Sequence, residues 1–391
     1  MSSSNQSIND LKTFADENQS SPPPAASVAP ITKVITTVLA DDEIMKTEGA
    51  SETLFTALKV VLRASQVPEM LHSASTLLLL LSSANFDILS SVEGCSCLTN
   101  LLYTGRTNLK LLSAFFTDLN GLTTLLHKLT LKQSAILSSK HLKILHLLSS
   151  LNPSISSQLP LATLIPVLSS FLLLPNTSPT RSKIIVETLR ISYALYAHRS
   201  KELASLPSMT IFGVLLVKII HRNDSALADC VKLCSLQAKE FSGFLLINNC
   251  LPILVDFLNR KLTKVIVEKD GNPVVELSAI LTVLKKCVDI NPIPLKQIVF
   301  PPEIDEELVS QDKSPTAPAS QKNLHPLDAP KYTLRYLLIK LMTHKDTDVK
   351  RIVSELMWSM CGKDEFVNRV GFGNAVWWLS VMGVVKVPGV A

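Results

Sequence analysis

The chain has 391 residues, 47% hydrophobic and 5% aromatic, with 12 glycines, 7 cysteines and a formal charge of +5. That length can bury a substantial core as one large domain or two to three smaller ones, and few aromatics and glycines beside abundant Leu, Ser, Lys and Val argue for helix over sheet. The longest unbroken apolar runs, such as residues 77–81 and 214–217, fall far short of the roughly 18 residues a bilayer span needs, and MSSSNQSINDLKTF lacks the basic start and apolar stretch of a secretory leader, so neither a membrane span nor secretion is expected.

Residues 1–30 are rich in Ser, Asn and Pro, including Pro22-Pro23-Pro24, and read as disordered. Packing begins near Val34. Residues 31–300 then read as short apolar helices parted by polar breaks at Gly94, Gly105, Asn152-Pro153, residues 175–179, Pro207 and Asn291-Pro292. A period runs through them. Leu101, Leu145, Leu189, Leu233 and Leu277 are each 44 residues apart, and Leu98, Leu142, Val186, Cys230 and Val274 stand three places before them. An apolar i, i+3 pair at that interval lies within the roughly 40–47 residues of armadillo and HEAT repeats.

Residues 301–330 are acidic and Pro-rich and read as a flexible loop inside the solenoid; Ser314-Pro315 there is weighed as a phosphorylation site and read as an ordinary loop serine. In residues 331–391 the helical period returns. Leu334, Leu337, Leu338 and Leu341 form one stripe, and Val349, Ile352, Val353, Leu356 and Met360 form a second. Asp346 is placed to cap the second helix and Gly362 to end it in a left-handed turn. A third helix is expected from Asp364 to Gly371. A fourth, capped by Asn374, carries Trp377 and Trp378 as core or capping residues and closes at Gly383. The fold class expected is all-α, an armadillo/HEAT-like α-solenoid superhelix.

Charge is uneven. Residues 1–50 hold 3 Lys against 7 acidic residues, leaving 35 basic and 26 acidic residues in the remainder, or +9. Such a body suits an acidic partner or a membrane surface, or simply solvates its helices. The cysteines are expected reduced and buried. Cys95-Ser96-Cys97 and Cys230 with Cys234 have tempting spacings, yet no second Cys or His pair stands at finger-like distance, and no metal is expected. Gly362-Lys363 lacks the earlier glycine of a phosphate loop, and Gly371-Phe372-Gly373 is half a dinucleotide fingerprint, better read as a tight interhelical turn. His141 and His146 are five apart and read as surface residues rather than ligands. Basic residues are not interleaved with aromatics as nucleic-acid binding would require. No catalytic residue and no cofactor is expected. A solenoid without reactive groups binds, offering a concave surface to an extended peptide or helix.

The phrase LMTHKDTDVKR at residues 341–351, the Met-Cys at Met360-Cys361, Phe366-Val367 and the turn Gly371-Phe372-Gly373-Asn374-Ala375 resemble, in that order, the C-terminal armadillo repeats of the synembryn family (resistance to inhibitors of cholinesterase). CLTNLLYTG at residues 97–105, HLKILHLLSSLNPSISSQL at 141–159, and VELSAILTVLKKC at 275–287 followed by VFPP are fainter matches in the same order. The resemblance implies a cytosolic, monomeric exchange factor and folding chaperone for G protein α subunits, extending to the cell cortex. Its groove would grip the C-terminal helix of a nucleotide-free Gα, and GDP would leave because that state is bound more tightly. A generic armadillo scaffold without exchange activity is the alternative.

By position, the resemblance places Asn100 as a polar contact for the Gα tail, beside the reading of an Asn that satisfies backbone within its repeat. The 44-residue period, rather than the resemblance, puts Arg190 and Tyr193 on the equivalent helix two repeats on, where Arg190 is placed to pair with the partner's terminal carboxylate, beside the reading of a surface Arg and a core Tyr. Lys350 and Arg351, inside the matching phrase, face either the groove or solvent. Two departures stand out. Small residues follow Asn-Ala in the family, where this chain has Val376-Trp377-Trp378; and family members continue with an acidic segment and further helices that touch Gα, whereas the last residue here is Ala391. The resemblance therefore carries tail binding or chaperoning further than full exchange.

Overall fold

A computed structural model describes residues 3–17, 88–90, 121–130, 134–222, 224–301 and 333–385, with isolated positions at 30, 34 and between 92 and 102. Gly94, Cys97, Asn100, Gly105 and the acidic interruption of residues 302–332 lie outside the described residues. Every regular element among those described is helical, and the chain divides into two compact units, Met1–Phe212 and Gly213–Ala391.

In the first unit, α1 (Ser3–Glu17) occupies a stretch whose composition reads as disordered. Leu11 and Phe14, three apart on one face, are buried there, and that pair outweighs the polar residues around it. There follow a short 3-10 turn (Ile88–Ser90), α2 (Gly121–Thr130), α3 (Ala135–Leu151), α4 (Pro153–Gln158), α5 (Leu161–Leu172) and α6 (Pro179–Ala204). Asn152 ends α3 and opens α4, where its Oδ1 accepts from Ser154 N and Pro153 fills the first helical place. Ser178 likewise caps α6 ahead of Pro179. Helices α3 and α6 form the most extensive pairing in the unit. At Arg199 the backbone leaves helical values (φ −134°, ψ 35°), which lets the guanidinium donate Nη1 to the carbonyls of Ser156 at 2.8 Å and Leu159 at 2.7 Å, at the open end of α4.

Helix α7 (Ser208–Arg222) spans the division. The second unit continues with α8 (Leu227–Leu236), α9 (Lys239–Ile247), α10 (Leu251–Leu262, prolonged by a π turn over Thr263–Val267), α11 (Pro273–Val288), α12 (Ile293–Val299), α13 (Leu334–Leu341), α14 (Thr347–Val370) and α15 (Phe372–Val381). No single helix among the described residues is long and apolar enough to cross a membrane. Helix α11 is the hub, packing on α8, α9, α10 and α14. Its Lys286 Nζ donates to the carbonyls of Ser235 and Gln237, both at 2.7 Å, and so closes the end of α8 as Arg199 closes α4 in the first unit. Phe300 is buried between the guanidinium groups of Arg335 and Arg369, 5.2 and 5.3 Å from its ring centre, and Arg335 Nη2 donates to the carbonyl of Arg369 at 3.1 Å.

The 44-residue column holds wherever it is described: Leu145 on α3, Leu189 on α6, Leu233 on α8 and Leu277 on α11 are all 0% exposed. Each fully buried leucine contributes about 1.5–3 kcal/mol of burial. The companion column is less uniform. Leu98, Leu142 and Cys230 are buried, but Val186, on the outward face of α6, and Val274, in the first turn of α11 beside the exposed Val275, are only half-buried. Asp346 caps α14 as its position requires, its Oδ1 accepting from Asp348 N and Val349 N at 3.0 and 3.2 Å, and Gly362 breaks that helix at φ +69°. The cap expected at Asn374 is corrected. Gly371, at φ +83°, opens α15, and Asn374 lies inside the first turn with Nδ2 donating to the carbonyl of Val370. His141, expected at the surface, is fully buried, with Nε2 2.7 Å from the carbonyl of Leu89. The six described cysteines are free thiols, all buried.

Candidate partner-binding faces

In the first unit the candidate residues lie on α6. Lys183, Val186, Arg190, Tyr193 and Ala197 recur at i, i+3, i+7, i+10 and i+14, which lines one face of a helix, and each is half or fully exposed. Arg190 Nη1 donates to Glu187 Oε1 at 3.2 Å, with the Arg190 side chain 41% exposed and that of Glu187 9%. From α3, His146 Nδ1 stands 3.2 Å from the other carboxylate oxygen, Oε2. Burial pushes the Glu187 carboxyl up, but its contact with His146 and the positive charges of Arg190, His146 and Lys143 outweigh it and hold the group below the usual carboxylate range. One buried anion thus engages an arginine on its own helix and a histidine on α3, and Arg190 still reaches the surface. Tyr193 is 40% exposed, so it is a surface ring and not the core residue of the plainer reading. Arginine and tyrosine one turn apart on a rigid helix suit an anionic group with an apolar neighbour.

Glu187 and His146 were not among the sequence candidates. A signal was present: Glu187 is the only acid in the apolar run of residues 184–189 and stands three places before Arg190. Asn100 lies outside the described residues; beside it Leu98 and Leu102 are buried, and Thr99 Oγ1 donates to the carbonyl of Cys95 at 2.7 Å.

In the second unit Lys350 and Arg351 are adjacent in sequence but differently employed. Lys350 Nζ lies 4.1 Å from the ring centre of Trp377 on α15, and burial draws its pKa below the ordinary lysine value. Trp377 is half-exposed beside the buried Trp378, 6.2 Å away between ring centres. Arg351 turns to solvent and donates Nη1 to Glu355 Oε1 at 2.9 Å, an i, i+4 pair contributing about 0.3–0.5 kcal/mol. The structure therefore brings Lys350 together with Trp377 and sets Arg351 apart from it. The exposed face of α15, with Phe372, Val376, Trp377 and Val381, is apolar.

Among the described residues no group of three or more His, Cys, Asp or Glu could hold a metal ion. Burial pushes the thiols of Cys250, Cys287 and Cys361 up to about 12, so at neutral pH they stay protonated and poorly nucleophilic.

A family model described as the guanine nucleotide exchange factor synembryn (Ric8) matches residues 54–387. Chaperone Ric-8A of Mus musculus is 41% identical over 54 residues, 13% of this chain and 10% of that protein. The Xenopus laevis protein of the same name is 42% identical over 55 residues, 14% and 10% of the two chains. These alignments thus span only about a tenth of the curated relatives' length. Among solved structures, a crystal structure of an engineered protein is similar with TM-score 0.59 and 16% identity, covering 99% of this chain and 82% of the other. A structure from work on a phosphorylation switch controlling the interaction between cadherin and β-catenin is similar with TM-score 0.60 and 14% identity, covering 98% and 77%. Likeness at such identities is one of fold, and it makes the chain an all-α, armadillo-like solenoid.

Proposed function

Because this chain belongs to the synembryn family of guanine nucleotide exchange factors, whose model matches residues 54–387, we propose that it binds a G protein α subunit and promotes its folding, its release of GDP, or both. The family match carries this conclusion. The outward stripe of α6 supports it in physical terms, since Arg190, held by the buried Glu187, is suited to the terminal carboxylate of the α subunit's C-terminal helix, and Tyr193 to an apolar side chain one turn away. The resemblance offers Asn100 in the first unit, and Lys350 and Arg351 in the second, as further contacts, each unit taken by itself; Trp377 lies beside Lys350.

Exchange needs no reactive side chain here. A protein that binds the nucleotide-free α subunit more tightly than the GDP-bound form lowers GDP affinity by the same factor, and each tenfold in that ratio corresponds to about 1.4 kcal/mol. A chain with this partner would work as a monomer in the cytoplasm and at the cell cortex.

The test is retention of purified α subunit by the full chain in GDP, release on adding a GTP analogue, and faster loss of labelled GDP. A peptide of the α subunit's C-terminus should compete, and Arg190→Ala should weaken retention severalfold. Retention indifferent to nucleotide indicates a scaffold without exchange activity, and no retention refutes the reading.

A further inference from the structure

The chain contains three Ser-Pro pairs, at Ser21, Ser178 and Ser314, and only Ser178 is followed at the third place by a cation, Arg181. A serine, then proline, then a basic residue two places beyond it is the pattern that proline-directed serine/threonine kinases select. Proline sits where the kinase offers no acceptor for an N–H, and the cation meets an anionic patch. We propose that Ser178 is a phosphorylation site for a kinase of this class, and that phosphate there firms the first turn of α6.

Residues 175–179 form the approach to α6, and Pro175, Asn176, Thr177 and Pro179 are exposed, with Leu173 just before them 57% exposed. Ser178 is already extended (φ −151°, ψ 154°), the backbone form in which kinases take their substrates. Presenting Arg181 requires the first turn to open. Pro179 has no N–H to lose, Ser178 Oγ accepts from Arg181 N at 3.3 Å, and Ser182 N donates to the carbonyl of Ser178 at 3.0 Å. Arg181 Nη1 also donates to Thr177 Oγ1 at 2.8 Å. Helix ends of this kind open most readily.

In the transfer, Ser178 Oγ attacks the γ-phosphorus of ATP. The new oxygen–phosphorus bond forms as the bond to the bridging oxygen breaks, the hydroxyl proton passes to the kinase's base, and ADP leaves with the electron pair. The product fits the site. The Ser178 hydroxyl serves the native cap as an acceptor, a role the phosphate oxygens keep with added negative charge. That charge would lie at the N-terminal end of a helix with no acid in its first turn, three residues from Arg181 and five from the exposed Lys183.

The experiment incubates the full chain with a recombinant proline-directed kinase and ATP, maps phosphate by peptide mass spectrometry, and follows amide hydrogen exchange over residues 179–186. Phosphate is expected on Ser178, with incorporation slowed severalfold by Arg181→Gln and lost from this position in Ser178→Asn, a substitution that keeps the helix cap and so separates loss of the acceptor from loss of fold. Exchange over the first turn should slow severalfold after modification. Phosphate on Ser21 or Ser314 with none on Ser178, or incorporation at Ser178 indifferent to Arg181→Gln, overturns the assignment. Unchanged exchange in the phosphorylated chain overturns the claim of a firmer turn.

Discussion

Replacing Glu187 by Gln keeps the shape of the side chain and removes the charge that holds Arg190 and His146. The carboxylate is nine-tenths buried and has a contact of 3.2 Å to each partner, so the change weakens two charge-assisted contacts at once. Such contacts contribute about 1.5–3 kcal/mol when buried; with Arg190 41% exposed, water screens part of the attraction and the expected loss is about 1–2 kcal/mol. Amide hydrogen exchange along α6 reads this locally, as a fall in protection of roughly 5–30-fold at neutral pH. The pH dependence supplies the control. The folded carboxyl lies below the usual range, so its contribution is present above the unfolded value near pH ~4.3 and is lost as pH falls through the folded pKa. Wild type and Glu187→Gln should therefore converge in strong acid, once exchange rates are corrected for their intrinsic pH dependence. A deficit of the same size at neutral and acid pH, or none at either, would refute the electrostatic reasoning.

Leu233→Ala, in the fully buried column, should cost about 2–5 kcal/mol in urea unfolding, and Val274→Ala, in the half-buried one, less than half of that; equal losses would mean the period does not mark the core. Asp346→Ala removes an acceptor from two backbone N–H groups and Gly362→Ala forces a Cβ onto a φ of +69°, so each should lower thermal stability by about 1 kcal/mol, read by calorimetry. The thiols of Cys250, Cys287 and Cys361, pushed up to about 12 in the folded chain, should resist alkylation that modifies the unfolded chain readily. The stability these thiols add is intact below the unfolded value near pH ~8.5 and drains away as pH climbs towards 12, so unfolding midpoints should fall across that window.

What the sequence made legible was whatever depends on spacing. Leu145, Leu189, Leu233 and Leu277 are fully buried because an interval of 44 residues returns the chain to the same place in successive repeats. Asp346 and Gly362 were readable as punctuation because a cap and a positive φ are local demands. Partnerships between distant helices were not readable. Glu187 looks misplaced in an apolar run until α3 brings His146 against it, and His141 looks like a surface residue until the carbonyl of Leu89 meets its ring. Asn374 lost its capping role to Gly371, whose positive φ begins α15 three residues sooner. Among the binding candidates, the exposure of Arg190 and Tyr193 follows from their position on one stripe, whereas the Lys350–Trp377 contact depends on how α15 folds back on α14.

The clasp of Phe300 between Arg335 and Arg369 joins positions on either side of residues 302–332. Once such anchors meet, the length of chain strung between them is nearly neutral in energy, since each doubling adds only about 0.6 kcal/mol of closure entropy. A flexible connection between two such anchors can therefore be lengthened, shortened or rewritten while the helices on both sides keep their register. For the same reason a fluorescent domain or affinity tag spliced there should leave the scaffold standing, provided the aromatic ring and its two guanidinium neighbours stay untouched.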